Sequence, residues 1–251
     1  MQRGSVLRRV SALALTVTVG FGVSVGAGSA ADARFALQEL TPEQAYSCAN
    51  LAMSSTPTGS MNGMNTGTPM AGIAGETTAE DVEIDQLYID MMIPHHLSIT
   101  AMAEAALPLL EDERLREIAQ TITDTQTTEV SELRDLRGQF YGSPDPVPLD
   151  ADMMMRLMPN MSMDMQEMMS QMDPESQVAQ FCAAADPDLA FIDMTIPHHQ
   201  SAIEASEVAA EQAIHPEITE FAQHVIEDQQ AEIDELMTIR QELYGPATPE
   251  S

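Results

Sequence analysis

Apolar residues recur with helical rhythm from Ile84 onward, at Ile84, Leu87, Tyr88, Met91, His95, Ile99, Met102 and Ala106. Spacings of three and four residues place these on one helical face. Thr77 with Glu80 reads as a capping box ahead of this helix, and Pro108 marks its end. A second helix is expected from Asp112 through Leu115, Ile118, Ala119, Ile122, Val130, Leu133 and Leu136 to Phe140. It stops at Gly142, before Pro144, Pro146 and Pro148.

The same pattern returns 103 residues later. Asp90-Met91-Met92-Ile93-Pro94-His95-His96 becomes Asp193-Met194-Thr195-Ile196-Pro197-His198-His199, and the match runs without a gap from Asp85–Gly142 to Asp188–Gly245. Asp186-Pro187 opens the second copy, His215-Pro216 reads as another helix cap, and Gly245-Pro246 closes the last helix. No strand-like alternation appears. A two-helix unit buries too little alone, so two copies packed face to face predict an all-α four-helix bundle with pseudo-two-fold symmetry.

The remaining segments follow from this frame. Residues 1–31 read as an export signal: Arg3, Arg8 and Arg9, an apolar run to Val25, then small residues to Ala31. No later segment is apolar enough to span a membrane. Residues 32–76 form an N-terminal arm and a low-complexity linker, 77–142 the first repeat, 143–185 a methionine-rich linker, 186–245 the second repeat and 246–251 a tail. Cys48 and Cys182 precede the two repeats, and in an oxidising compartment they are expected to pair, with thiolate metal ligation as the alternative. The formal net charge of −30, with arginine as the sole strong base, excludes phosphate backbones as partners.

Candidate chemistry centres on the repeated histidine pairs. Met91 stands one turn before His95, and Met194 one turn before His198, so thioether and imidazole share a face; Ser98 and Met102 extend the stripe. Imidazole binds either copper state and thioether selects Cu(I), which makes copper the favoured ion and Ag(I) its soft analogue. Pro94 and Pro197 each remove a backbone donor beside the pair. The competing interpretation is one buried and one exposed histidine per copy, with no ligand. Asp90 and Asp193, Glu104 and Glu207, Gln126 with Glu129, and Gln229 with Glu232 are candidates to orient the imidazoles, although an exposed helix face would show such residues too. His215 and His224 lack this support.

Half of the twenty methionines crowd into residues 153–172. Met155, Met158, Met161, Met163 and Met165 have the spacing of a flexible soft-metal arm. The alternative is a methionine-rich cover that fills gaps on the bundle. A helical stretch is expected at 164–171, bounded by breaks at Pro159 and Pro174.

The repeated D-M-x-I-P-H-H core, with Glu104 or Glu207 and a distal Q-x-x-E helix, resembles a bacterial domain-of-unknown-function family of duplicated ferritin-like proteins with copper-associated periplasmic members. The resemblance implies a ferritin-like bundle and export. It further implies binding of copper or silver through Met91, His95, His96 and Met102 in copy one, and Met194, His198 and His199 in copy two. Ala205 at the place of Met102, and Thr195 at that of Met92, suggest a weaker or differently built second site. The expected function is a non-enzymatic, exported copper protein that buffers or hands on the ion, with another copper-handling envelope protein as partner. A ferritin-like di-iron or di-manganese oxidase would want Glu-x-x-His pairs, which are missing. A structural helical module is the remaining alternative.

Overall fold

Aspartate and proline punctuate the helices. In the computed structural model, which describes residues 47–48 and 82–245, seven helices follow one another between residues 84 and 244. They are α1 (Ile84–Ala106), α2 (Glu113–Tyr141), α3 (Ala151–Leu157), α4 (Met165–Gln171), α5 (Pro174–Ala183), α6 (Pro187–Gln212) and α7 (Pro216–Tyr244). Asp112, Asp150, Asp164, Asp173 and Asp186 cap α2 to α6, each accepting a backbone N–H of the first turn. Gly142 ends α2 at φ 82°, a left-handed conformation that a side chain would strain. The export signal, most of the arm and linker, the Thr77–Glu80 capping box and the 246–251 tail lie outside the described residues. Within them, α1 begins at Ile84 behind Glu83, which makes no side-chain cap.

The long helices form two antiparallel hairpins, α1 with α2 and α6 with α7. Tyr141 reaches back to Glu83 at 3.1 Å, and its counterpart Tyr244 to Asp186 at 3.0 Å. The hairpins meet through α1 and α6, which also run antiparallel: Tyr88 meets Ser206, and His95 meets Ser201. Two carboxylates lock this arrangement. Asp85 on α1 accepts from the backbone of Ile214 and His215 at the start of α7, each at 2.9 Å. Asp188 on α6 does the same for Glu111 and Asp112 at the start of α2, at 2.7 and 2.9 Å. His215 therefore stands at a cap position without capping α7 through its own side chain. Its Nδ1 bonds Asp85 at 2.7 Å and its ring stacks on Phe140.

Two apolar clusters fill the ends of the bundle. One joins Tyr88 to Ile93 with Leu133, Phe221 and Val225; the other joins Ile99, Met102, Leu115 and Ile122 with Phe191 and Leu236. They are not equivalent. Where copy one has Ile99 and Met102, copy two has Ala202 and Ala205, and Met154, Leu157, Met158 and Met168 pack into the cluster that contains those alanines. The methionine tract is thus folded into α3 and α4 and partly built into the core, instead of hanging free. Flexible thioether side chains suit such an irregular gap. Met158 is buried, Met161, Met163 and Met165 pack half-buried against the same cluster, and Met155 is exposed. The short helix α5 brings Cys182 to Cys48, and the two form a disulfide.

The repeat also supplies an internal comparison of ion pairs. Arg137 pairs with Asp90 with both side chains buried, and Asp90 accepts from Val147 N at 3.0 Å as well. The matching pair, Arg240 with Asp193, is partly exposed. Arg137→Met should cost about 3–5 kcal/mol in urea unfolding, because it strands a buried carboxylate. Arg240→Met should cost no more than about 1 kcal/mol. Equal losses would refute the assignment of burial as the cause.

Candidate metal centre

Between the two apolar ends lies a polar waist at the α1–α6 crossing. Helical spacing places residues 95, 98 and 102 on one face of α1, and the repeat places 198, 201 and 205 on the matching face of α6. Both helices continue through Pro94 and Pro197. The His95 and His198 rings meet on the pseudo-two-fold axis with centroids 3.8 Å apart. His96 and His199 flank them, 6.2 and 6.4 Å from their sequence neighbours. All four imidazoles are buried, so neither copy has the one-in, one-out arrangement of an ordinary helix surface.

Each Nε2 faces an acceptor. His95 Nε2 lies 2.8 Å from Ser201 Oγ, and His198 Nε2 lies 3.0 Å from Ser98 Oγ and 3.1 Å from the Gln171 carbonyl. His199 Nε2 bonds Glu232 at 2.7 Å; His96 Nε2 stands 3.1 Å from Glu129, close but less well aligned. Carboxylates and carbonyls only accept, so the Nε2 atoms of His198 and His199 carry the proton. The Ser201 hydroxyl already donates towards Gln171 Oε1 at 2.7 Å or the His198 carbonyl at 2.8 Å, which leaves its lone pair for His95. Ser98 likewise donates to the carbonyl of His95 or to that of Gln171. The four Nδ1 atoms have no partner at all. A buried acceptor left unpaired costs about 1–3 kcal/mol.

The other residues singled out from sequence take varied places. Met91 is buried in one apolar cluster and Met102 in the other, while Met194 is half-buried at the edge of the second. Asp90 and Asp193 engage arginines, as described above. Glu232 bonds the His199 ring and Glu129 lies beside that of His96, and the partly buried Asp228 near them is raised above the ordinary carboxylate value by its burial and then by their charges. Gln126 and Gln229 are buried three residues earlier, each with Oε1 unpartnered. Glu104 is half-buried and Glu207 exposed. Sequence reasoning missed Ser201 and Gln171. Ser201 was visible as the match to Ser98; Gln171 lies outside the repeat and carries no such signal. Among the described residues, no three His, Cys, Asp or Glu side chains converge as a metal-holding group. A metal at the waist would therefore draw on few nitrogens, supplemented by thioethers.

Burial holds the pKa of His95 well below the imidazole value, reinforced by His198 and its neighbours; burial does the same for His198, reinforced by His199. Both rings are neutral in the fold. The unfolded chain titrates near about 6.5, so it takes up protons that the fold refuses. Stability is full above that value and falls below it, by up to about 1.4 kcal/mol per pH unit for each histidine. Replacing both by Gln should flatten the pH dependence of urea unfolding between about pH 7 and 5. An unchanged slope would mean that the rings protonate within the fold.

Comparison with known proteins places this architecture. The solved structure of CopM in the Cu(II)-bound form is similar with TM-score 0.52 and 31% identity, covering 64% of this chain and 97% of that one. CopM in the Cu(I)-bound form matches with TM-score 0.52 and 28% identity, over 64% and 98%. CopM in the Ag-bound form obtained by co-crystallization matches with TM-score 0.50 and 28% identity, over the same shares. No curated protein matches the chain. No helix among the described residues is long and apolar enough to cross a membrane. The profile of the domain of unknown function DUF305 matches twice, over residues 33–137 and 138–240, so each matched unit takes in the segment ahead of its helical hairpin. This duplicated helical bundle belongs to the DUF305 family.

Proposed function

We propose that this protein binds Cu(I) at its waist, with Ag(I) as a soft analogue, and serves as an exported copper buffer or donor. The observation that carries this reading is the set of four buried imidazoles with bare Nδ1 atoms, three of them hydrogen-bonded through Nε2 and the fourth, His96, with Nε2 3.1 Å from Glu129. Metal-bound histidine characteristically donates its other N–H to a carboxylate or carbonyl, which fixes the tautomer and raises ligand basicity. Here the protein's own residues supply acceptors of that kind to His198 and His199. Because burial keeps His95 and His198 neutral, these two rings need lose no proton on binding.

In this reading His95, His96, His198 and His199 are the candidate nitrogen donors, of which any one ion draws on no more than two, and Met91, Met102 and Met194 are the candidate sulfur donors. Ser98, Ser201, Glu129 and Glu232 orient the rings. Met155, Met161, Met163 and Met165 keep thioethers at or near the surface of the linker, where they would serve as transient ligands for exchange with an envelope partner. Exchange among soft ligands is transfer, so no catalysed reaction is required. The family membership and the copper and silver forms of CopM support the choice of ion.

A Cu(I) competition titration tests this. Changing all four motif histidines to Ala should abolish tight binding while helicity persists. Glu232→Gln should weaken it by about tenfold or more through the ring it orients. Undiminished binding in the quadruple variant would move the metal to the linker methionines, and no binding by the wild type would leave a structural module.

A further inference from the structure

The two outer imidazoles, His96 and His199, occupy equivalent places in the repeat, yet the residues beside them differ. Helical side chains lean towards the N-terminus, so each ring lies over the turn four residues earlier. The residue in that turn is Met92 for His96 and Thr195 for His199, and both are wholly buried. Met92 packs in one apolar cluster with Leu133, one turn along α2 from the Glu129 that lies beside His96. Thioether and imidazole therefore share the side of α1 that faces α2. Thr195 puts a hydroxyl in the matching place on α6. The helical threonines Thr100, Thr123 and Thr238 each donate to the carbonyl four residues back, at 2.7, 2.9 and 2.9 Å. Thr195 Oγ1 makes no such bond and is buried without a partner. The rings differ as well. His199 is fixed by the 2.7 Å bond from Nε2 to Glu232, whereas both nitrogens of His96 are unpartnered.

These differences sort the two copies by the ion they suit. Imidazole nitrogen with thioether sulfur is a soft pair that selects Cu(I) or Ag(I), and a hydroxyl is a hard donor that offers such an ion little. The His96 ring, held by no aligned hydrogen bond, is also the freer of the two to turn towards a metal. We infer that the outer imidazoles are unequal subsites: a soft monovalent cation is held first by His96 with Met92, and Thr195 denies His199 the matching pair. This rests on the copper reading above, and it adds Met92 and Thr195 as the residues that set the order of filling.

The test is a stepwise Ag(I) titration of the full chain, followed by NMR of ¹³C-methyl methionine and ¹⁵N histidine. The Met92 methyl and the His96 ring should shift at an Ag(I) concentration about tenfold below that required by the His199 ring, the scale on which a neighbouring group alters a metal site. Met92→Leu nearly conserves volume and removes the sulfur, so the fold should persist while His96 comes to need as much Ag(I) as His199. Thr195→Met should do the converse and bring His199 down to the concentration that His96 requires. If the larger side chain at 195 unfolds the protein, Met92→Leu decides alone. Simultaneous shifts of His96 and His199 in the wild type, or an order that Met92→Leu leaves unchanged, would overturn the ranking while the copper reading stands. Ag(I) that shifts none of the four motif histidines would overturn both.

Discussion

The structure depends on orienting four buried imidazoles in one layer of the bundle, with the central two, His95 and His198, kept neutral. Three of the rings find a partner for Nε2 inside the bundle, and Glu129 stands 3.1 Å from the fourth, that of His96. Serines on α1 and α6 serve the central pair across the axis, while glutamates on α2 and α7 serve the flanking pair within each hairpin. The apolar clusters on either side isolate this waist from solvent. The unpaired Nδ1 atoms are a stability cost that a simple structural core would not retain.

The pseudo-symmetry holds where it builds the waist and relaxes where it builds the ends. Asp85 and Asp188 each cap the other hairpin, and Asp90–Arg137 recurs as Asp193–Arg240. Tyr88, by contrast, faces Ser206, whereas its counterpart Phe191 corresponds to a pairing position held by Ala103: a hydrogen-bonded pair in one half becomes an apolar one in the other. The alanines of copy two leave volume that linker methionines occupy. Gln171 then bonds Ser98 as well as Ser201 and gives His198 a carbonyl acceptor that His95 lacks, so two nearly identical halves become chemically distinct.

Much of this was legible in the sequence because the repeat samples each position twice. Helix ends at Gly142 and Gly245, the Asp112 and Asp186 caps and the pairing of hairpins all follow from local signals that agree with the tertiary packing. The waist histidines stood out for the same reason. What escaped depends on contacts distant in sequence. Asp90 lies close enough along the chain to suggest an imidazole partner, yet a guanidinium from α2 takes it. The methionine tract looked like a free arm because composition alone does not reveal the gap left by Ala202 and Ala205. Gln171 is an ordinary polar residue until the linker folds over His198.

The most direct test of the central claim is ¹⁵N NMR of the histidine side chains, with and without Ag(I). The account predicts that the metal-free protein holds His95, His96, His198 and His199 with Nε2 protonated and Nδ1 bare, and that Ag(I) shifts the Nδ1 resonances while the Nε2–H signals persist. Rings protonated at Nδ1 in the metal-free protein, or metal-induced shifts confined to Nε2, would contradict it.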